Sequence, residues 1–175
     1  MSDTPLFTNE DVHDFYKLLD DLNIRIWLDG GWAVDALLGE QTRPHDDIDI
    51  VIEQQDVQTL RDALEARGYT EVIRDDSRPI NFVLSDTGRE AGRIVDFHVI
   101  VLDADGNGDY GDDEGVFPAW GLTGKGTIAG LEVQTLSPQL LVNFHQGYDL
   151  RDKDYHDIPR LCEKFGLVLP EVYQK

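Results

Sequence analysis

Apolar and polar residues recur along the chain with two different periods, and the switches between them outline the elements. Val12, Phe15, Tyr16, Leu19 and Leu22 return at helical spacing, which predicts an opening amphipathic helix. Thr8 is placed to cap it, with Asp11 three residues on. Ile24 to Leu28 (IRIWL) is a short β-branched and aromatic strand broken by Gly30-Gly31. WAVDALLG follows as a short helix with Gly39 as its C-cap. DIDIVIE reads as a second strand, and QDVQTLRDALEARG as a helix stopped by Gly68. YTEVI, INFVLS and RIVDFHVIV are three further strands, the last two joined as a hairpin across the polar stretch Asp86 to Arg93. GTIAGLEVQTL reads as another hairpin. Ser137-Pro138 supplies an N-cap and a first helical position for PQLLVNFHQGY, and a last helix covers roughly Asp152 to Phe165. The order predicts an α+β fold, a mixed β-sheet with helices packed mainly on one side. Residues 1–175 read as a single domain, with an α/β core over about 1–135 and short C-terminal helices over about 136–175.

Charge changes the picture next. Fifteen Lys and Arg stand against 35 Asp and Glu, a formal net charge of -20 with a pI near 4.3. Such a surface repels phosphate backbones, so the reading is no nucleic acid partner. It would steer metal ions or a cationic small molecule towards the protein, and it also serves plain solubility. No apolar run approaches the roughly 20 residues of a membrane span. The N-terminal MSDTPLFTNED lacks the basic and apolar regions of a signal peptide. Cys162 is the single cysteine, which excludes an internal disulfide and agrees with a cytoplasmic protein that has no membrane partner.

The candidate chemistry lies in RPHDDIDIVIE, Arg43 to Glu53. Alternation along a strand puts Ile48, Ile50 and Ile52 on one face and Asp47, Asp49 and Val51 on the other; Asp46 points away. Two carboxylates two residues apart on one face lie roughly 6–7 Å apart, near enough to share a divalent ion and costly without one. Alone, Asp-x-Asp is a weak signal, better explained by a solvated acidic loop. Two neighbours shift the balance. Gly30-Gly31 stands between a strand and a helix, where backbone amides can approach a phosphate. Asp96 sits in the middle of the apolar strand RIVDFHVIV, where an unpaired charge is expensive. A shared cation accounts for all three carboxylates, and magnesium keeps places for water and phosphates.

With these residues in order, the chain resembles the polymerase-β-like nucleotidyltransferase superfamily. WLDGGWAVDALLGEQTRPHDDIDI is similar to both the small lincosamide nucleotidyltransferases and the aminoglycoside 2''-adenylyltransferases. VDFHVI and FHQGYDLRDKDYHDIPRL are nearer the lincosamide enzymes. The resemblance runs from about Phe15 to Phe165 and is weakest over Ala104 to Ile128. It implies the polymerase-β-like nucleotidyltransferase fold and Mg2+-dependent transfer of a nucleoside monophosphate, AMP from ATP, to a hydroxyl of a small, cationic acceptor. Of the acceptors a lincosamide is favoured and an aminoglycoside is next. Asp47 and Asp49 match the paired metal carboxylates, and Asp96 matches the third, as metal ligand or base. Gly30, Gly31 and Trp32 match the phosphate-contacting turn; Arg43, His45 and Lys153 match residues facing the nucleotide's phosphates. His98, Tyr148 and Asp154 are candidates for the acceptor side, and a homodimer contributing to the site is expected. The alternatives are nucleotidyl transfer to a protein or metabolite, or a non-catalytic nucleotide- or calcium-binding module.

Several residues carry blander readings. Asp103, Asp105, Asn107, Gly108 and Glu114 satisfy an EF-hand pattern, yet the flanks read as a strand and a proline-containing segment, so an acidic loop or turn is the better reading. His98 is either a site residue or a satisfied structural histidine. Asp35 reads as a cap or salt bridge; His145, Asp149 and Asp157 read by default as helix-surface positions. Trp27 and Cys162 are expected in the core, with Trp32 and Trp120 partly exposed.

Overall fold

The computed structural model describes residues 6–111 and 115–175. The opening helix α1 (Asn9–Leu22) begins as its sequence dictates. The Thr8 hydroxyl accepts the Asp11 N–H at 3.2 Å, and the Asp11 carboxylate accepts the Thr8 N–H at 2.8 Å. Strand β1 (Ile26–Asp29) starts two residues later than IRIWL suggests and ends one residue later, so that it takes in Asp29. Helix α2 (Gly30–Leu38) follows without a loop and ends at Gly39, whose φ of 81° is the left-handed conformation glycine allows. Strand β2 (Asp47–Glu53) and helix α3 (Gln54–Glu65) come next, then strands β3 (Thr70–Val72), β4 (Asn81–Ser85) and β5 (Ile94–Leu102). Two two-residue strands, β6 (Gly108–Asp109) and β7 (Val116–Phe117), lie where the sequence has no strand period to read. The hairpin β8 (Gly124–Ile128) and β9 (Leu131–Thr135) leads to α4 (Pro138–Phe144) and α5 (Asp152–Phe165).

The strands form one mixed sheet in the order β3-β4-β5-β2-β1-β9-β8, with β6 and β7 extending from the far end of β5. β2 pairs antiparallel with β1 and parallel with β5, and β1 pairs parallel with β9. Alternation sends Ile48, Ile50 and Ile52 into the core, each fully buried, and leaves Asp47 and Asp49 half-buried on the other face. Helix α2 is buried nearly all round: Trp32, Ala33, Val34, Asp35, Ala36 and Leu37 are all inaccessible, since α2 packs against β1, β2, β8, α4 and α5 at once. That burial corrects the expectation for Trp32, which is 1% exposed and has its ring against His45, centroids 4.6 Å apart. Trp27 and Cys162 are core residues and Trp120 is exposed, as expected.

Asp103 uses its carboxylate to close a turn, accepting the N–H groups of Asp105 and Asn107 at 2.9 Å, between β5 and β6. The flanking elements are strands, and Glu114 lies outside the described residues. Among the described residues no helix is long and apolar enough to cross a membrane.

Candidate active site

Strand register builds the centre of the site. Asp29 on β1 is the cross-strand partner of Asp49 on β2, and Asp49 is in turn the partner of Asp96 on β5. Neighbouring strands lie about 4.8 Å apart, so three carboxylates stand in a row across the sheet. Asp47 stands two residues before Asp49 on the same face. Gly30 begins α2 with φ of 61°, and a Cβ there would fall 2.1 Å from Asp49 Oδ2. A Cβ on Gly31 would fall 2.3 Å from Arg43 Nη2 and 2.6 Å from His45 Nδ1. The two glycines therefore make room for a carboxylate and a guanidinium, whatever they offer a ligand.

A cavity of about 330 Å³ opens over this row. Its lining mixes the carboxylates Asp29, Asp47, Asp49, Asp96, Asp154 and Asp157 with the basic residues Arg43, Arg74, Arg151 and Lys153. Arg43 holds a two-pronged pair with Asp157 of α5, Nε to Oδ1 at 3.0 Å and Nη2 to Oδ2 at 2.8 Å. Arg74 grips Glu90 the same way, with two contacts of 2.8 Å, and brings Nη1 to 3.7 Å from Asp96 Oδ2. His98 presents Nε2 at 3.8 Å from both Asp49 Oδ1 and Asp96 Oδ1, while its Nδ1 meets the Tyr110 hydroxyl at 3.1 Å.

The carboxylates disturb one another strongly. Burial, then the charge of Asp49, pushes Asp47 up to about 7, against relief from Lys153. Burial and Asp49 likewise push Asp96 up to about 6, opposed by His98 and Arg74. Burial raises Asp29 as well. Asp49 goes the other way: burial would raise it, but the neighbouring His98 imidazole, then Lys153 and His145, outweigh burial and lower it. His98 is correspondingly pushed up to about 9, its burial overcome by Asp49, Asp96 and Asp29. A cleft with this many carboxylates held above their ordinary range is short of positive charge. Asp49, Asp96 and His98 offer ligand atoms within 4.8 Å of one another, so the residues present fit a divalent cation.

The structure brings Asp47, Asp49, Asp96, Gly30, Gly31, Arg43, Lys153 and Asp154 to one cavity. It places three of the other candidates elsewhere. His45 is 2% exposed, with Nε2 against the Asp35 carboxylate and its carbonyl accepting the Phe7 N–H at 2.7 Å; it lies beneath the Gly31 turn and does not line the cavity. Trp32 is in the core beside it. Tyr148 is 41% exposed and outside the cavity lining, its hydroxyl held up to about 12 by burial and the Asp154 charge. Asp154 is buried and caps α5, accepting the Arg151 N–H at 2.8 Å, which ties its carboxylate to the helix start and away from an acceptor. Asp35 is a buried salt-bridge partner, held by His45 and by the Thr42 hydroxyl at 2.6 Å. Asp29, Arg74 and Arg151 are cavity residues that the sequence did not flag, and Asp157, read as a helix-surface position, lines the cavity as the partner of Arg43. Asp29, directly before Gly30-Gly31, was the one with a visible signal.

A carboxylate row on a mixed sheet, with Arg43, Arg74, Arg151 and Lys153 in the same cavity lining, suits metal-assisted chemistry at a phosphate. Residues 11–161 match the profile of the aminoglycoside-2''-adenylyltransferase family, and the chain belongs to that family of adenylyltransferase-type enzymes. It is 33% identical over 157 residues to a lincosamide resistance protein of Staphylococcus haemolyticus, covering 88% of this chain and 94% of that protein. A 2''-aminoglycoside nucleotidyltransferase of Klebsiella pneumoniae is 49% identical over 39 residues, 22% of either chain. The crystal structure of the lincosamide antibiotic adenylyltransferase LnuA with lincomycin bound superposes with a TM-score of 0.77 and 31% identity, over 90% of this chain and 98% of that one. The structure of ANT(2")-Ia with adenylyl-2"-tobramycin shares the fold, with a TM-score of 0.71 and 23% identity over 90% and 89% of the two chains.

Proposed function

We propose that the protein transfers AMP from Mg2+-bound ATP to a hydroxyl of a small antibiotic acceptor, a lincosamide before an aminoglycoside. The observation that carries this reading is the convergence of Asp47, Asp49 and Asp96 opposite Arg43 and Lys153 in one cavity. The preference for a lincosamide rests on the full-length likeness to the lincosamide resistance protein, against a likeness of 39 residues to the aminoglycoside enzyme.

Asp47, Asp49 and Asp96 would hold the Mg2+, which when bound supplies charge neutralisation at the phosphates and acidifies the attacking hydroxyl. The residues of this chain do the rest. The acceptor oxygen attacks the α-phosphorus, the bond from that phosphorus to the pyrophosphate oxygen breaks, and the hydroxyl proton passes to a carboxylate oxygen of Asp96. Lys153 and Arg43 meet the charge that gathers on the departing pyrophosphate. Asp29 holds the Gly30 N–H at 2.7 Å, which fixes the turn from β1 into α2 beside the phosphates. Incubation of the protein with ATP, Mg2+ and lincomycin or tobramycin, followed by mass spectrometry, tests the reading. One added AMP on lincomycin, lost in Asp49→Ala and Asp96→Ala, is the expected result. No adduct on either drug removes the antibiotic assignment.

A further inference from the structure

Arg74 and Glu90 lie on two separate turns, one after β3 and one between β4 and β5. Each turn is closed by its own hydrogen bonds. The Arg74 N–H donates to Ser77 Oγ at 2.8 Å, and the Ser77 N–H returns to the Arg74 carbonyl at 3.1 Å. On the second turn the Ser85 hydroxyl donates to the Arg89 carbonyl at 2.7 Å, and Asp86 Oδ1 accepts the Arg93 N–H at 2.9 Å. Arg74 commits Nε and Nη2 to Glu90, both at 2.8 Å, which leaves Nη1 turned to the carboxylate row, 3.7 Å from Asp96 Oδ2. That distance is too long for a hydrogen bond, although Arg74 and Asp96 line the same cavity. Asp96 Oδ1 faces the other way, 3.8 Å from His98 Nε2 and beside Asp49, where a cation fits.

We infer that Glu90 is a restraint on Arg74: it holds two of the guanidinium nitrogens, stops the side chain from closing on Asp96, and so keeps that carboxylate for the metal ion and the reacting hydroxyl. This rests on the transfer reading above for the task of Asp96. Arg43 in the same cavity shows the alternative, gripping Asp157 with two prongs at 3.0 and 2.8 Å. A guanidinium within reach of a carboxylate settles into that fork when its donors are not already taken. Closed on Asp96 in this way, Arg74 would occupy the oxygens a cation needs and set a positive charge beside it. Asp76, the other carboxylate acting on Arg74, already accepts Asn81 Nδ2 at 3.2 Å. Held by Glu90, Arg74 balances part of the crowded charge without taking the carboxylate. The pair adds little to folding, since the Glu90 side chain is 59% exposed. Both are therefore positioning residues, acting on the chemistry through Asp96.

Titration of the full chain with Mn2+, followed by loss of the free-ion EPR signal, tests the restraint without any transfer. Glu90→Gln frees Arg74 and is expected to weaken Mn2+ binding at least about threefold; Arg74→Gln removes the competing charge and is expected to tighten it by a similar factor. Charge alone would also move the two variants in opposite directions, and it would return the double variant to the wild-type affinity. The restraint instead makes the double variant bind as Arg74→Gln does, because Glu90 acts through Arg74. A double variant that binds like the wild type overturns the proposal. So does an unshifted Glu90→Gln, or a wild type that binds no Mn2+. Unfolding temperatures are expected to stay within about 4 °C of the wild type, and a larger fall shared by both single variants would make the pair a mere joint between the turns. AMP transfer from ATP to lincomycin is read separately by mass spectrometry. The expected Mn2+ pattern without transfer removes the reaction and leaves the restraint, while transfer with unshifted Mn2+ binding does the reverse.

Discussion

Gly30 and Asp49 compete for one volume: the Cβ that any other residue would carry at position 30 falls 2.1 Å from the Asp49 carboxylate oxygen. The first residue of α2 is thus fixed by a side chain on the neighbouring strand. Gly30→Ala must move Asp49 and also holds alanine at a φ of 61°. The strain costs about 1–2 kcal/mol. A displacement near 1 Å at a reacting centre lowers turnover about 100-fold. Thermal unfolding and AMP transfer measured on the same preparation check both parts; an active Gly30→Ala variant would show that Asp49 has other room.

The crowding of Asp47, Asp49 and Asp96 predicts that the ion-free protein is held below its attainable stability. Asp47→Asn removes the carboxylate that burial and Asp49 push up to about 7 and is expected to unfold at equal or higher temperature than the wild type without metal at neutral pH. Mg2+ at about 100 times its dissociation constant is expected to stabilise the wild type by about 2.7 kcal/mol and the variant by much less. Differential scanning calorimetry with and without Mg2+ decides it, and a metal response that survives Asp47→Asn would place the ion elsewhere.

Arg43 and Asp157 predict an acid-side signature. Burial would raise Asp157, but the hydrogen bonds from Arg43 and His156 outweigh it and hold the carboxyl below its ordinary value. A carboxylate lowered on folding contributes stability that is fully present above its unfolded pKa, about 4, and is lost as pH falls through the lower folded value. Asp157→Asn is expected to cost roughly 2 kcal/mol at neutral pH. The gap to the wild type should close as pH drops below about 4. Urea unfolding at a series of pH values reads the difference, and a gap that is constant with pH would deny the ion pair its role.

Asp35 and His45 are both inaccessible and bonded to each other, with Thr42 completing the carboxylate's partners. Asp35→Ala leaves the imidazole and the hydroxyl without that acceptor, at an expected cost of about 3–5 kcal/mol. Lys17 and Asp21, 75% and 64% exposed, form a pair whose loss is expected to change stability by less than about 1 kcal/mol. Equilibrium denaturation of Asp35→Ala and Asp21→Ala gives the contrast directly, and similar values for the two would contradict it.

How far the chain could be read without coordinates follows from which signals are local. DIDIVIE and the last helix have the bounds read from sequence, because alternation and helical period are properties of a single segment. Asp47, Asp49 and Asp96 stood out because a charge inside an apolar strand conflicts with its surroundings. Asp29 carries the same meaning only once β1 is set in register with β2, and Arg74 only once the segment after β3 folds over β5. His45 shows the opposite failure. Arg43 and Asp47, two residues to either side, line the cavity, yet packing against Trp32 and the bridge to Phe7 turn His45 inward. β6 and β7, two residues each, are too short to carry a period at all.

The parallel pairing of β1 with β9 joins Leu28 to Thr135, more than a hundred residues apart, while β1 also borders β2, which follows directly after α2. The middle of the sheet thus waits for a partner from near the far end of the chain. Such distant closure slows folding, since its entropy is spent before the contact rewards it. During synthesis β1 stands as an unpaired edge until β9 leaves the ribosome, and an open edge is where strands of different chains join. A slow refolding phase and loss to aggregation at high concentration belong to this topology, and the heavy negative charge of the chain opposes the second.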